Sequence, residues 1–310
     1  MGRKKSSIGK SLIPASDNAD PASVKDSEGV IAALAWMMGG VLMFAGVMLT
    51  VRLLLIDVPT TQTTFLRYAI GALILVPFVG RFSFSFFKSN HRTLFVIRAC
   101  LHGAAVFLWF FAVLHAALAD VNAMLNLVPV YVVIGAAVMF GEILTMPRMI
   151  TILVSFAGAL LIVRPGFAEI NIGMLAIFAA GPAFASSELI AKKLKADYDD
   201  NMIIITLSML IALLLFIPAM LVWQPMTLSQ WFGVCLIGLL ATLAHVAIMR
   251  SFRGPMWASQ SGKFIQLLFV AAFGFILFDE IPAMTTWAGA FLVLSSISYI
   301  AFVEARKHKS

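Results

Sequence analysis

His102 and Trp109 follow Arg98 at four and eleven residues within the otherwise apolar stretch FVIRACLHGAAVFLWF, residues 95–110. On a helix of 3.6 residues per turn these steps return to within about 40° of one face. A guanidinium, an imidazole and an indole therefore share a wall. Arg98 supplies a bidentate donor suited to a carboxylate or phosphate, or else extends to a nearby interface with its stem in apolar surroundings. His102 is either a titrating group or a neutral, hydrogen-bonded packing residue. Trp109 offers a stacking surface for a planar molecule, or packs in the core.

The remaining polar groups in apolar stretches follow the same logic. Asn122 and Asn126 lie one helical turn apart and face together. They either bond a ligand or hold helices together at about 0.6 kcal/mol per bond. Pro129 removes a backbone donor and frees the carbonyl one turn back, which predicts a kink. Asp120 reads as an N-cap. In WASQSGKFIQ, residues 257–266, Gln260 and Lys263 stand at i and i+3. Ser259, Gln260, Ser261 and Gly262 favour a polar lining for Lys263 over an interfacial one. Glu188 precedes Lys192 by four residues, a spacing for an intrahelical ion pair; the alternatives are pairing with Arg98 or Lys263, or carrying a proton. His245 is as ambiguous as His102. Together Arg98, His102, Trp109, Asn122, Asn126, Glu188, His245, Gln260 and Lys263 form the candidate substrate-binding set. No catalytic residues emerge: there is no phosphate-binding loop, dinucleotide fingerprint, HExxH or nucleophile elbow. Cys100 and Cys235 give neither a disulfide framework nor a metal site, and no cofactor is expected.

The elements that position these groups follow from composition. Of 310 residues, 61% are hydrophobic and 12% charged, with a mean hydropathy of +0.98, against roughly 25% charged in soluble domains. A hydrocarbon core of about 30 Å is crossed by roughly 20 apolar residues. Ten such spans are expected, at about 30–51, 61–79, 93–114, 120–140, 148–164, 172–192, 202–222, 230–250, 257–278 and 285–303. They must be helices, because lipid offers no partner to backbone polar groups. The predicted fold class is an all-α integral membrane protein. Residues 1–29, rich in Ser, Lys, Asp and Pro, read as a disordered cytoplasmic tail, and 304–310 as a second one.

With both termini inside, 17 of the 22 Lys and Arg fall on the cytoplasmic side, Arg52 and Arg164 outside, and Arg67, Arg98 and Lys263 within spans. This is the positive-inside pattern. The net charge of +7 is thereby explained by topology and anionic lipid, and no nucleic-acid partner is needed. The expected location is a bacterial inner membrane, multi-pass, with lipid and a small molecule as partners; a homodimer is compatible with this reading.

Residues 138–163 align with 276–301 at an offset of 138, placing Glu142 on Glu280, Phe140 on Phe278 and Ile143 on Ile281. Each half, 30–166 and 170–303, then holds five spans. Because five is odd, the second copy is inverted, a device of secondary transporters. Glu142 and Glu280 read as structural repeat-boundary acids, each facing the positive end of the helix that follows it; proton transfer is the alternative. The offset also sets Asn122 on Gln260 and Leu125 on Lys263.

Pro129, Gly141 with Glu142, FAGALLIVRPG of residues 156–166, FLRY of 65–68 and AALADVNAM of 116–124 together resemble an EamA-type member of the drug/metabolite transporter superfamily. The second half departs from that pattern, with Asp279 where Gly would precede Glu280 and Leu267 in place of the proline. The resemblance covers residues 30–303 and implies a non-enzymatic secondary transporter moving a small organic metabolite by alternating access. A cavity holding Arg98 and Lys263 with few acids favours a zwitterion or organic anion, such as an amino acid, a carboxylate or an aromatic vitamin. Riboflavin, S-adenosylmethionine and amino acids are the cargoes the resemblance implies. The competing readings are a membrane-embedded enzyme acting on lipid, which would need a clustered acid/base or metal constellation, and a non-transporting receptor or scaffold. Reporters fused near residues 57, 117, 168, 226 and 281 are expected to read outside, and those near 88, 146, 196 and 253 inside. One reproducible inversion among these loops breaks the five-plus-five scheme.

Overall fold

The computed structural model describes residues 21–75, 77, 91–140, 145–163, 171–251 and 264–307, and these fold entirely as helices and short connections. In chain order they are α1 Pro21–Leu54, α2 Thr60–Leu75, α3 Arg92–His115, α4 Leu118–Leu125, α5 Val128–Phe140, α6 Met146–Val163, α7 Ile172–Leu194, α8 Asp200–Leu221, α9 Leu228–Ser251, α10 Phe264–Phe278 and α11 Met284–Lys307. Among the described residues, six stretches are long and apolar enough to cross a membrane: Leu34–Leu54, Arg92–His115, Leu118–Met139, Ile172–Leu194, Met202–Leu221 and Leu228–Ile248. Met146–Ile162 and Gln266–Phe278 are shorter apolar helices.

Three boundaries differ from the expectation; one is that α11 runs on to Lys307, into the stretch 304–310 assigned to the second tail. Helix α1 begins at Pro21, inside the stretch assigned to the tail. Proline suits the first helical position, where its missing N–H costs nothing, and the residues that follow tolerate a helix. The span expected over 120–140 is two helices rather than one. Pro129 cannot donate to the Leu125 carbonyl and its ring crowds it. The chain tightens instead, with Asn126 N bonding Ala123 O at 3.2 Å and Leu127 N bonding Met124 O at 3.0 Å.

The helices pack in reciprocal pairs. The broadest contacts are α1 with α9, α3 with α7, α6 with α11 and α2 with α8. At one end of the bundle, Gln62 of α2 exchanges two bonds with the backbone of Gln224 between α8 and α9, at 3.1 and 3.0 Å. Gln62 is fully buried, so this reciprocal pair is what makes its amide tolerable in an apolar setting. At the other end Tyr198, between α7 and α8, meets Phe95 of α3 edge-on with ring centres 5.2 Å apart.

The α6–α11 crossing is built from small residues. A Cβ on Gly158 would stand 2.7 Å from Gly289 O, and one on Gly289 would run into Gly158 O. The hydroxyls of Ser155 and Ser296 lie 2.6 Å apart, and Thr151 Oγ1 donates to Ser296 O at 3.3 Å. Such close backbone approach is how helices associate where lipid removes the hydrophobic incentive. Exchanging the two stretches at the offset of 138 carries the Gly158–Gly289 contact onto Thr151–Ser296, and Ser155–Ser296 onto Gly158–Val293, which also touch.

Gly158→Ala and Gly289→Ala should each lower thermal stability, by about 1–3 kcal/mol as overpacking costs go. Gly39→Ala is the control, since nothing lies within 4 Å of its added Cβ, and better helix propensity should leave it neutral or stabilised by up to about 1 kcal/mol. The measurement is the unfolding midpoint of purified protein in detergent; equal midpoints for all three variants contradict the packing argument.

Candidate binding cavity

A cavity of about 230 Å³ lies where α1, α2, α3, α4, α5, α7, α9 and α10 converge. Its wall comprises Val41, Phe44, Arg67, His102, Val106, Trp109, Asn122, Leu125, Asn126, Val128, Pro129, Phe184, Glu188, His245, Ile248 and Gln266. The structure thus brings together His102, Trp109, Asn122, Asn126, Glu188 and His245 of the sequence-derived set. The broken helix contributes Leu125, Asn126, Val128 and Pro129, so its irregular backbone faces the cavity rather than lipid, the arrangement a bilayer tolerates.

The rings form a connected wall. Phe44 meets Trp109 at 5.9 Å and His245 at 5.3 Å between ring centres, and His102 meets His245 at 6.2 Å and Phe184 at 5.3 Å, all edge-on. Edge-to-face contacts at such distances are the favoured aromatic geometry. His245 Nδ1 bonds Ala241 O at 2.7 Å. A carbonyl only accepts, so Nδ1 carries the proton and a neutral ring turns Nε2 into an acceptor. His102 Nδ1 lies 3.1 Å from Ser187 Oγ. Asn126 donates to Asn122 O within its own chain segment at 3.0 Å.

Arg98 is not in this wall. It is 8% exposed and lines a smaller adjoining pocket of about 30 Å³. Its Nε donates to Ser187 O at 3.3 Å and its Nη1 to Ile203 O at 3.0 Å. It therefore neither extends to an interface nor faces the larger cavity. Gln260, Lys263 and Glu142 lie outside the described residues. Asp120 is not an N-cap: α4 starts at Leu118 after Ala117, and Asp120, in the first turn, accepts a bond from Thr286 Oγ1 at 2.6 Å. Trp36 is away from the cavity, with the Arg250 guanidinium 4.7 Å over its ring.

Sequence reasoning passed over Arg67, Gln266, Phe44 and Phe184. Arg67 lines both the cavity and the smaller pocket and is 4% exposed. Its signal is present in the sequence, since a cation inside a span is a functional candidate by default, but the sequence reading takes it only as one of three cations within spans and as part of FLRY.

One end of the bundle is tied by Arg52 and Glu280. Arg52, in the last turn of α1, donates to the carbonyls of Val113 and Ala116 at the end of α3, and through Nη2 to Glu280 Oε1 at 2.7 Å. Leu118 N, the start of α4, donates to Glu280 Oε2 at 2.8 Å. Glu280 thus faces the positive end of a helix, but that helix is α4 and not α11, which starts four residues later at Met284. The reason lies in the turn before it. Asp279 has φ 53°, a left-handed conformation that Asp tolerates better than most side chains. Asp279 N bonds Phe275 O and Glu280 N bonds Gly274 O, both at 3.1 Å, which ends α10 and directs Glu280 across to α1 and α4. Asp279 therefore meets the same backbone demand as the glycine expected before Glu280.

Glu280→Gln keeps one acceptor for Leu118 N but loses the ion pair, and is expected to cost about 1–3 kcal/mol, the range for hydrogen bonds to charged groups. Asp279→Gly should be neutral or stabilising and Asp279→Val destabilising, because a β-branched side chain is strained at positive φ. Thermal unfolding of the purified variants checks the order; Asp279→Val matching Asp279→Gly would contradict it.

Comparison with known proteins agrees with this architecture. Residues 31–164 match the EamA-like transporter family. The chain is 27% identical over 262 residues to a pseudopaline exporter of Pseudomonas aeruginosa, covering 80% of this chain and 88% of that one. It is 24% identical to a riboflavin transporter of Vibrio cholerae, with 81% and 86% covered, and 21% identical to an S-adenosylmethionine uptake transporter of Rickettsia bellii, with 79% and 84% covered. A solved crystal structure with 18% identity covers 92% of this chain and 99% of its own at a TM-score of 0.58, a likeness of fold. The chain is that of a multi-pass membrane transporter, similar over residues 31–164 to the EamA-like transporter family.

Proposed function

We propose that this protein is a secondary carrier of a small organic solute, working by alternating access between two inverted five-helix halves around the cavity described above. The observation that carries the reading is one cavity walled from both halves of the chain, beside a broken helix, with an ion-pair clasp across one end. Carriers of this architecture bind solute near the midplane, at the interface of two repeats and beside discontinuous helices. Among the described residues, counting α4 and α5 as one interrupted span gives ten helical spans. The reciprocal pairing of α1 with α9 and α3 with α7, and the exchange relation at the α6–α11 crossing, support two related halves.

The clasp fits the role of a gate. Arg52 and Glu280 belong to different halves and lie at the end where α1 finishes and α11 begins. The cavity wall runs from Asn122, about one turn inside that end, to Glu188 and Ile248, within two turns of the opposite ends of α7 and α9. In the proposed topology, with both termini cytoplasmic in a bacterial inner membrane, the clasp closes the outer side and the cavity communicates with the inside. The cavity is slightly below the ~300–1,000 Å³ usual for ligand pockets, which favours solutes of amino-acid size. The relatives, a pseudopaline exporter, a riboflavin transporter and an S-adenosylmethionine uptake transporter, support an organic cargo.

The test is uptake and efflux of a labelled panel, comprising phenylalanine, 3-phenylpropionate, riboflavin and S-adenosylmethionine, in vesicles reconstituted with and without the protein. At least one member should move faster with the protein present. In a Cys100→Ser/Cys235→Ser background, linking Arg52→Cys to Glu280→Cys with a reducible bifunctional reagent should cut that transport at least about tenfold, a factor worth some 1.4 kcal/mol per turnover barrier, and reduction should restore it. Undiminished transport in the linked protein shows that this end need not open.

A further inference from the structure

The polar groups around the cavity divide into those already engaged by the protein and those that are not. His245 and His102 each commit Nδ1 to a neighbour, and Asn126 commits its amide to Asn122 O. Arg98 spends two donors on carbonyls of α7 and α8. Among the described residues, two cavity-wall N–H donors have no hydrogen-bond partner: Arg67 Nε and Trp109 Nε1, on residues 4% exposed in both cases. A buried donor left unpaired forfeits its solvation, and a buried cation forfeits more. What complements such a wall is a ligand that presents acceptors and negative charge.

We propose that Arg67 is the residue that recognises a carboxylate on the transported solute, an assignment that rests on the carrier reading above. Three features of its setting lead there. The Tyr68 ring lies 4.0 Å from Arg67 Cζ, and an aromatic face against a guanidinium fixes its plane while leaving the donor edges free. Of the two pockets that Arg67 lines among the described residues, the smaller holds about 30 Å³, room for one or two waters, and the cavity has the space for a solute. A planar fork of donors matches a carboxylate in two parallel bonds.

The remaining wall narrows the class. Glu188 belongs to the same wall. Phe44, Trp109 and Phe184 enclose an apolar body, and Asn122 and Gln266 offer neutral polar contacts. The solute is therefore a carboxylate with a compact, partly apolar body. Arg98, with its donors committed to the backbone, positions α7 and α8 beside the cavity and does not discriminate.

The experiment compares phenylalanine with phenylalaninamide, and 3-phenylpropionate with its amide, as competitors and as labelled solutes in reconstituted vesicles. Wild type should prefer each acid over its amide by about tenfold or more, the scale of one charge-assisted contact. Arg67→Gln should bring the ratio to within about twofold, Arg67→Lys should retain part of it, and Arg98→Gln should leave it unchanged. Removing a buried charge lowers the cost of insertion, so Arg67→Gln is expected to fold; gel filtration of the purified protein verifies this, and the Lys variant carries the comparison if Gln does not. Transport of riboflavin without either acid, or an acid preference that survives Arg67→Gln, overturns the assignment while leaving the carrier reading intact. Absence of transport of every panel member overturns the carrier reading itself.

Discussion

Hydrocarbon supplies no hydrogen bonds, and most of what is distinctive in this molecule follows from that single constraint. Every backbone group at membrane depth must find its partner within a helix. Where Pro129 makes this impossible for one turn, the chain breaks into α4 and α5 and the loosened backbone turns toward the cavity. The same scarcity governs side chains. Gln62 exchanges bonds with Gln224, Arg52 gathers two carbonyls and a carboxylate, and Arg98 caps the carbonyls of Ser187 and Ile203. Against those satisfied groups, and among the buried polar atoms left without a partner in the described residues, Arg67 Nε and Trp109 Nε1 are the ones on the cavity wall.

Association between the helices has to be explained without hydrophobic burial, since lipid tails are as apolar as leucine. Two devices serve here. Glycines bring backbones together at the α6–α11 crossing, and at Gly40, where an added Cβ would stand 2.8 Å from Ile248 on α9. Long-range polar ties then pin the helix ends. Glu280 joins the ends of α1 and α10 to the start of α4, and the left-handed turn at Asp279 sets the angle at which it does so. The cavity lies between these two kinds of contact, and the rings that line it meet edge-on.

The sequence made the membrane setting, the helical class and most helix positions legible, because a run of some twenty apolar residues has few physical alternatives. It also brought His102 and Trp109 to one wall through helical spacing, and the pair Asn122 and Asn126 through their single-turn separation. What it concealed were relations between distant segments. Nothing local to Arg52 or Glu280 tells that they meet across 228 positions, and the carboxylate was assigned to the nearest following helix for that reason. Pro129 announced a disturbance, but whether a proline bends a helix or divides it depends on what the freed carbonyl can reach. Arg98 and Arg67 look alike as cations inside spans; only the carbonyls within reach of Arg98 distinguish them.

Helix α2 carries a consequence for biogenesis. Its first turns read TTQTTFLR, and Gln62, Thr63, Thr64 and Arg67 are all buried in the finished protein. The elements that bury them, α8 and α9, leave the ribosome long after α2 does. An arginine near the middle of an isolated span costs about 2.5–3.5 kcal/mol on insertion scales, so α2 enters the membrane before the neighbours that make it comfortable exist. Its retention during synthesis depends on α1 and α3, or on the insertion machinery holding it until the second half arrives. The polar face that equips the helix for recognition is thus also what ties the first half of the chain to completion of the second.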